Sequence, residues 1–446
     1  MNPLNINLSR RAALGLGAVT ASSLALTACA GTGGGGGNGG GGGNGGGGQD
    51  SGGPLQFWSN HPGSSQDMER EIIDEWNAAN PDIQVELVTG GSNYEELGQK
   101  FNAALSGGQL PDIIVASDVT WFNFALNGQT TNLDEYWDKA GVDKDSFVTT
   151  LVEDYAYDGK HFGVPYCRST CLMYWNTEML AEASLPSDRG PETWEEFAEW
   201  APQLKEITGD NPVVVVPDGS NYLDWYFQGM VWAFGGAYSQ EWEPTFTAPE
   251  TIEAGEFLKE QVELGHIEIS TDPTVAFGNG NSAALLQSTG SLGGLTETAS
   301  IEFITTYLPG PGPSCPTGGA GVAIPSGIAE ERKVNALKFI DFLTNTENTI
   351  KFSQATGYMP VREDAIEHPD EVAYLEENPN AKTAIEQLNE NTQPQDYARV
   401  FVPGGGARIG GVLDEITLQG KDVTEAFTQL GEETQKVIER DIEPLL

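Results

Sequence analysis

Two arginines in the C-terminal quarter of the chain have the chemistry that most clearly points to a ligand. Arg408 follows three consecutive glycines at 404–406, and Arg399 lies shortly before them. A guanidinium group donates two parallel, charge-assisted hydrogen bonds to a phosphate, and glycines let backbone N–H groups approach the same anion. This loop therefore predicts a phosphate-binding site. The alternative interpretation is that Arg408 pairs with a surface carboxylate, since the chain has 65 acidic residues.

Patterns typical of catalysis or metal binding are missing from the sequence. It contains no G-x-S-x-G elbow, no S-x-x-K motif and no H-E-x-x-H or C-x-x-C spacing. Its four histidines are scattered along the chain. We therefore expect no enzymatic activity, no metal and no cofactor.

Charge and length limit the class of protein. The chain has 446 residues and a formal net charge of −43. Such a field disfavours binding to nucleic acid or to an anionic lipid surface. It does not exclude a small anion, because salt confines the field to a Debye length of about 8–10 Å. The length is more than one core normally holds and predicts two domains.

The N-terminus has the features of an export signal followed by a tether. Arg10 and Arg11 precede an apolar run at 12–26, which is too short for a membrane-spanning helix. Leu26-Thr27-Ala28-Cys29 then resembles the lipobox of bacterial lipoproteins, which implies a signal peptide over 1–28 and lipidation of Cys29. The glycine-rich segment 29–53 cannot bury apolar surface and is predicted to be a flexible tether. Both general secretion and twin-arginine export remain open.

The next segment alternates strands and helices. Strands are predicted at 54–58, 83–88 and 110–116, with helices at 66–79 and 94–105 between them. This order indicates an open α/β sheet with parallel strands. Ligands bind outside the carboxyl ends of such strands, so the loops that begin at Ser59, Gly90 and Ser117 are candidate binding loops.

Further elements predict a second lobe. The stretches 159–165 and 170–175 suggest a crossing strand. A helix at 194–206 follows Thr193, which forms a capping box with Glu196. Additional strands are predicted at 213–216 and 318–325, and additional helices at 223–234, 252–264, 330–343 and 346–356. Cys167 and Cys171 lie too far apart along a strand to form a disulfide, and the pairing among Cys167, Cys171 and Cys315 stays open.

Several short stretches together resemble the extracellular solute-binding proteins (family 1) of ATP-binding-cassette importers, in the group for sugars and glycerol phosphates. They are Phe57-Trp58-Ser59, Leu110-Pro111-Asp112-Ile113, Gly163-Val164-Pro165, Tyr174-Trp175-Asn176, PETWEEF at 191–197, ALKFIDFLTNT at 336–346 and TGYMPV at 356–361. The resemblance covers 54–446. It implies an α/β, two-lobed periplasmic-binding-protein fold (class II) with a hinge and a ligand cleft. Lobe 1 would hold 54–164 and about 295–350, and lobe 2 would hold 165–294 and about 351–446.

Within this family the chain is most similar to the branch that binds sn-glycerol-3-phosphate and glycerophosphodiesters. The stretches that carry this similarity are Gly91-Ser92-Asn93-Tyr94 and the loop at 394–409. The implied ligand-binding residues are Tyr94, Asp118, Ser169, Trp225, Ser288, Ser291, Gly319, Tyr358 and Arg408. Arg408 would bind phosphate, although Arg399 is not excluded because the spacing after Arg408 differs from the branch. Asp118 would accept the hydroxyl protons of glycerol.

The resemblance implies a monomeric receptor, lipid-anchored to the outer face of the cell membrane. It would capture glycerol-3-phosphate or a glycerophosphodiester such as glycerophosphocholine and deliver it to an ABC permease and its ATPase. The first alternative is a receptor for a neutral mono- or oligosaccharide, since ten tryptophans could stack on sugar rings. The remote alternative is a lipid-anchored hydrolase.

Overall fold

The computed structural model describes residues 52–446 and contains one large mixed sheet. The strands are β1 Leu55–Ser59, β2 Val85–Thr89, β3 Ile113–Ser117, β4 Ala156–Tyr157, β5 Lys160–His161, β6 Val164–Asn176, β7 Val214–Pro217, β8 Ser239–Gln240, β9 Glu243–Pro244, β10 Ile267–Ser270, β11 Ala284–Ser288, β12 Phe303–Thr306, β13 Cys315–Ala323 and β14 Thr392–Gln393. Along the large sheet the strand order is β10-β7-β11-β6-β13-β3-β1-β2, with β12 paired to β6 and β14 to β13.

Helices cover both faces of this sheet. They are α1 Gly63–Ala79, α2 Tyr94–Gly107, α3 Trp121–Leu126, α4 Trp137–Ala140, α5 Thr149–Glu153, α6 Thr177–Glu182, α7 Trp194–Thr208, α8 Leu223–Ala233, α9 Pro249–Glu263, α10 Pro273–Gly278, α11 Leu292–Thr298, α12 Glu330–Leu343, α13 Thr346–Thr356, α14 Glu363–Ile366, α15 Pro369–Glu377, α16 Pro379–Glu390, α17 Tyr397–Val400, α18 Gly405–Gln419 and α19 Val423–Val437. Within 52–446, no helix is long and apolar enough to cross a membrane.

The first half of the sheet confirms the predicted order of strands and helices. Strand β1 pairs in parallel with both β2 and β3. Helix α1 buries the predicted stripe, including Ile72, Ile73 and Trp76, against this sheet. Helix α2 begins at Asn93, whose side chain accepts a hydrogen bond from the backbone N–H of Glu96 at 2.9 Å. The carboxyl ends of β1, β2 and β3 therefore meet at one edge.

A single long strand connects the two halves of the sheet. Strand β6 pairs with β13 over its first part and with β11 and β12 over its second part. The sequence predicts the crossing strand as two stretches, 159–165 and 170–175, with Arg168 and Ser169 between them in a segment also expected to be extended. In the structure both residues are 3% exposed and remain in the strand, since β13 pairs with them. The crossing connection is therefore continuous.

Two buried clusters pack on the two halves, which gives the predicted α/β, two-lobed fold. The first is built around Phe57, Trp76 and Ile113, and the second around Trp175, Phe197 and Phe227. The C-terminal third contributes to both, with Phe352, Val361 and Ile438 in the first and Leu413 and Phe427 in the second. The proposed lobe boundaries stay a prediction.

The N-terminal features lie outside the described residues. These are the signal peptide at 1–28, Cys29 and all but the last two residues of the tether at 29–53. The other three cysteines, Cys167, Cys171 and Cys315, are buried and free.

Candidate functional site

The two halves of the molecule meet at the start of helix α2, beside the carboxyl ends of β1 to β3. The hydroxyl of Tyr222 accepts a hydrogen bond from the backbone N–H of Tyr94 at 3.0 Å and donates one to Glu95 at 3.2 Å. Tyr222 precedes helix α8 and has a φ of +73°, which is strained for a residue with a side chain. This contact defines one end of a cleft between the halves.

A buried arginine forms the centre of the cleft. Arg399, on α17, is 2% exposed; its Nε donates to Asp224 Oδ2 at 2.7 Å and its Nη1 donates to Asp118 Oδ2 at 3.0 Å. The side-chain oxygen of Gln395 also accepts from Nη1. Among the described residues, the other amino group, Nη2, has no hydrogen-bond partner. Arg399 thus keeps the two N–H groups of Nη2 available.

Arg399 and Asp224 each shift the pKa of the other. Burial raises the pKa of Asp224 to about 6, against the opposing effect of Arg399. Burial also lowers the pKa of Arg399, but Asp224 and Asp118 raise it by more, so the guanidinium stays protonated. Because one cation faces two carboxylates, an added anion would meet a site whose positive charge is already largely compensated.

Asp118 is held in position by strand β13. Its backbone N–H donates to the carbonyl oxygen of Gly319 at 3.2 Å, and Gln395 Nε2 donates to its Oδ2 at 2.5 Å. Gly319 has a φ of +95°, and a Cβ there would lie 1.9 Å from the carbonyl oxygen of Cys167. Glycine is therefore required at the point where β6, β13 and Asp118 meet.

Trp225 packs against the same strand through the N–H edge of its indole ring. Its indole N–H donates to the carbonyl oxygen of Thr317 at 3.1 Å. A Cβ on Gly318 would lie 2.5 Å from the Trp225 ring, so the absence of a side chain makes room for the indole. The predicted aromatic wall is thus next to Asp118 and Arg399, although Trp225 itself is only 5% exposed.

Tyr94 and Tyr358 come together at the other side of the cleft. Tyr94 Oη lies 3.1 Å from His61 Nε2, and the rings of His61 and Tyr358 are 5.9 Å apart. The Tyr358 ring covers Gly290, where a Cβ would lie 2.7 Å from it. Burial raises the pKa of both tyrosines, so both carry their hydroxyl protons at neutral pH.

The predicted serines lie on β6 and in the turn between β11 and α11. Ser169 lies on β6 opposite Gly318, is 3% exposed, and has no hydrogen-bond partner for its hydroxyl among the described residues. Ser288 accepts a hydrogen bond from the backbone N–H of Gly290 at 3.1 Å, and Ser291 directly precedes α11. The turn under Tyr358 is therefore held by Ser288.

Comparison with known proteins assigns the family. The family model for bacterial extracellular solute-binding proteins matches residues 71–383. The chain belongs to this family. It is 26% identical over 379 residues to the sn-glycerol-3-phosphate-binding periplasmic protein UgpB of Escherichia coli K12, covering 81% of this chain and 86% of that protein. The corresponding Salmonella typhimurium protein is 25% identical over 378 residues, with the same coverage.

Solved structures extend the similarity to three dimensions. The crystal structure of UgpB from Mycobacterium tuberculosis in complex with glycerophosphocholine is 46% identical, with a TM-score of 0.84, and covers 87% of this chain and 99% of that chain. Maltose-bound MalE3 of T. maritima is 19% identical, with a TM-score of 0.76, and covers 86% of this chain and 99% of that chain. The second match shows the shared fold alone.

In this solute-binding protein the predicted phosphate residue Arg408 makes different contacts from the other predicted residues. Its Nη2 donates to the carbonyl oxygen of Pro403 at 2.9 Å, and its buried Nη1 has no hydrogen-bond partner within 52–446. Burial lowers its pKa, and the charges next to it are Glu433, Arg440 and Asp441. None of its hydrogen bonds reaches another predicted ligand residue, whereas Arg399 contacts Asp118 directly.

Sequence reasoning missed several residues that the structure places beside the candidate ligand residues. They are His61, Glu95, Asp224 and Gln395. Glu95 and Asp224 are direct neighbours of residues that were predicted, Tyr94 and Trp225, so a carboxylate beside each was a usable signal. His61 and Gln395 had no such signal, because each acts through a contact distant in sequence.

A smaller cavity of about 220 Å³ opens beside Asp118. Its walls include Trp121, Tyr155 and Arg168. Arg168 donates to Asp154 at 2.5 Å and to the hydroxyl of Tyr155 at 3.0 Å, so its charge is compensated. Of the two buried arginines Arg168 and Arg399, only Arg399 also forms a hydrogen bond with Asp118.

Proposed function

We propose that this protein is the receptor of an ABC importer for sn-glycerol-3-phosphate or a glycerophosphodiester such as glycerophosphocholine. The Mycobacterium tuberculosis relative in complex with glycerophosphocholine supports this ligand class. The observation in the structure that carries the proposal is the contact between Arg399 and Asp118 in the cleft. A cationic donor and a carboxylate acceptor side by side match a phosphate joined to a glycerol diol.

Each part of the ligand has a candidate partner. Nη2 of Arg399 and the hydroxyl of Ser169 lack partners within the described chain and can donate to phosphate oxygens. Asp118 retains lone pairs that can accept the protons of glycerol hydroxyls. The carboxylates of Asp118 and Asp224 also hold the Arg399 fork in one orientation.

The receptor would bind its ligand and release it unchanged, without enzymatic activity. It would act as a monomer that delivers the ligand to a membrane permease driven by an ATPase. Export and lipidation at Cys29 would hold it on the outer face of the membrane, with 30–53 as the tether. Extracytoplasmic location is typical of the family to which the chain belongs.

A neutral sugar is the second candidate ligand. Aromatic side chains border the cleft, among them Tyr94, Tyr222, Trp225 and Tyr358. Aromatic faces stack on sugar rings, so these residues favour a carbohydrate if Arg399 serves only to neutralise Asp118 and Asp224.

Calorimetry with a pair of arginine variants tests the phosphate assignment. Arg399→Gln should weaken binding of glycerophosphocholine by at least about 100-fold, because a charge-assisted pair of hydrogen bonds is lost. Arg408→Gln, the matched control, should stay within about fivefold of the wild type. The reverse result would restore Arg408 as the phosphate ligand.

A ligand panel tests the function itself. Thermal shifts of the wild-type protein would be compared for glycerol-3-phosphate, glycerophosphocholine, maltose, trehalose and glycerol. We expect stabilisation by the phosphate-bearing compounds only. A shift with maltose or trehalose alone would replace the proposed function with carbohydrate binding.

A further inference from the structure

A buried histidine lies behind the cleft tyrosine and joins it to a buried carboxylate. His61 Nδ1 is 3.0 Å from Glu69 Oε1, and His61 Nε2 is 3.1 Å from Tyr94 Oη. His61 is 3% exposed and Glu69 is fully buried. Neither residue is assigned a contact with the ligand above; His61 borders the cleft and links Glu69 to the Tyr94 hydroxyl.

Within 52–446 no Lys or Arg contacts this pair, and the nearby Arg168, next to Cys167 on β6, is paired with Asp154. His61 faces Ser59 Oγ at 3.3 Å, Cys167 Sγ at 3.7 Å, and the rings of Tyr166 and Tyr358 at 6.1 and 5.9 Å. Burial raises the pKa of Cys167 and of Tyr166, so both are uncharged at neutral pH. No Lys or Arg within 52–446 forms an ion pair with Glu69. His61 is therefore the group that can compensate a charge on Glu69.

The protonation state of the His61 ring decides whether the Tyr94 hydroxyl can donate a hydrogen bond to a ligand. When the ring is protonated, both nitrogens donate, one to Glu69 and one to the Tyr94 oxygen. The Tyr94 hydroxyl proton is then available for a third partner, which is the neighbouring Tyr358 hydroxyl without ligand and a ligand oxygen when one is bound. When the ring is neutral and Nδ1–H donates to Glu69, Nε2 becomes an acceptor and takes the Tyr94 proton. Tyr94 can then only accept from a ligand.

We propose that His61 is a positioning residue that makes Tyr94 a hydrogen-bond donor to an anionic phosphodiester oxygen, and that ligand binding takes up one proton at this histidine. The inference rests on the proposed function, since it requires a phosphodiester next to Tyr94. A phosphodiester oxygen only accepts hydrogen bonds, so the protonated ring matches it and the neutral ring does not. The carboxylate of Glu69 stabilises the protonated ring.

The sign of the pH dependence follows from this linkage. Below the pH at which ligand-free His61 loses its proton, the donor form is already present and affinity is independent of this group. Above that pH, binding must recover a proton, and affinity falls by up to about tenfold per pH unit. The ligand must not titrate in the same range. Glycerophosphocholine meets this condition, whereas a phosphate monoester loses a proton near pH 6.

The first experiment measures proton uptake by the wild-type protein directly. Glycerophosphocholine is titrated calorimetrically between pH 6 and 8.5, in buffer pairs with different enthalpies of ionisation. We expect an uptake that approaches one proton per ligand at the alkaline end, together with the loss of affinity. An uptake indistinguishable from zero throughout overturns the inference, whether or not any variant folds.

Variants assign the proton to His61. The carboxamide of His61→Gln reaches the position of Nε2 and donates to Tyr94 without titrating, so affinity should become independent of pH and stay within about fivefold of the wild type at pH 6. His61→Leu removes the donor and should lose at least about tenfold at pH 6. His266→Gln, at a buried histidine that contacts Gln261 instead, should keep the wild-type profile.

The outcomes separate the two proposals. Other cleft acids, such as Asp224 and Glu95, titrate equally in the wild type and in His61→Gln. If the two proteins have the same pH profile of affinity, the inference about His61 is wrong, while the proposed function stands. Binding of glycerophosphocholine without proton uptake leads to the same conclusion. A wild-type protein that binds no phosphodiester at any pH overturns the proposed function as well.

Discussion

The half-buried carboxyl group of Asp396 contributes a stability that falls as pH rises, opposite to the usual contribution of an ion-paired acid. Asp396 accepts hydrogen bonds from the backbone N–H of Tyr238 at 2.6 Å and from the Trp232 indole at 3.3 Å, and no cation pairs with it among the described residues. Burial raises its pKa to about 6 from 3.8. Such an acid binds protons more tightly in the folded state than in the unfolded state.

The free energy of unfolding contributed by Asp396 should therefore fall as pH rises from about 4 to about 6. A shift of this size corresponds to about 3 kcal/mol. Asp396→Asn keeps an acceptor for Tyr238 and should flatten this part of the profile, measured by urea unfolding at several pH values. The exposed Asp74→Asn should leave the slope as in the wild type. An unchanged slope in Asp396→Asn would contradict the assignment.

Arg399 shows what the sequence can predict about single residues and what it cannot. Loop chemistry and the family resemblance predict Arg408 as the phosphate residue, with Arg399 not excluded because of the spacing after Arg408. Only the fold shows that Arg399 contacts Asp118 and Asp224, which lie 281 and 175 residues away in the sequence. Local chemistry predicts that an anion site exists, but pairing between distant segments decides which arginine contacts the cleft carboxylates.

The pairing of strand β13 with β6 requires a glycine at position 319. Gly319→Ala would place a Cβ 1.9 Å from the carbonyl oxygen of Cys167 and would require a φ of +95°. We expect destabilisation of at least about 3 kcal/mol in chemical denaturation. Gly411→Ala is the control, because this exposed helical glycine has open space around it. That variant should gain about 0.5–1 kcal/mol. Equal effects would mean that the crossing strands tolerate displacement.

Helices and parallel strands were the most predictable elements. Helices α12 and α13 have the predicted bounds, Glu330–Leu343 and Thr346–Thr356, because apolar periodicity and terminal residues mark both ends. Strand β6 was harder, since Arg168 and Ser169 are polar and still buried. Arg168 forms hydrogen bonds with Asp154 and Tyr155, and no local sequence pattern predicts these contacts.

The Tyr222 contact joins the two halves of the molecule through one hydroxyl. Tyr222→Phe removes the hydrogen bonds to Tyr94 and Glu95 while keeping the ring. We expect about tenfold weaker ligand binding. Small-angle scattering should show a larger radius of gyration without ligand. An unchanged radius together with unchanged affinity would mean that the contact does not hold the halves together.

The net charge of the whole molecule affects how a charged ligand reaches the cleft. At −43 the protein repels anions at long range, whereas Arg399 is buried and acts only at short range. The Debye length falls from about 30 Å at 0.01 M salt to about 8 Å at 0.15 M. Added salt therefore screens the repulsion far more than it screens the buried guanidinium.

The association rate constant of sn-glycerol-3-phosphate should thus rise several-fold between 10 and 150 mM NaCl, opposite to the usual salt effect on steered binding. Glycerophosphocholine, whose choline balances its phosphate, should change little and serves as the matched control. Stopped-flow tryptophan fluorescence can follow both, since Trp225 lies beside Asp118 and Arg399. A rate constant for glycerol-3-phosphate that falls with salt would show that the local field of the cleft extends beyond its mouth and dominates the encounter.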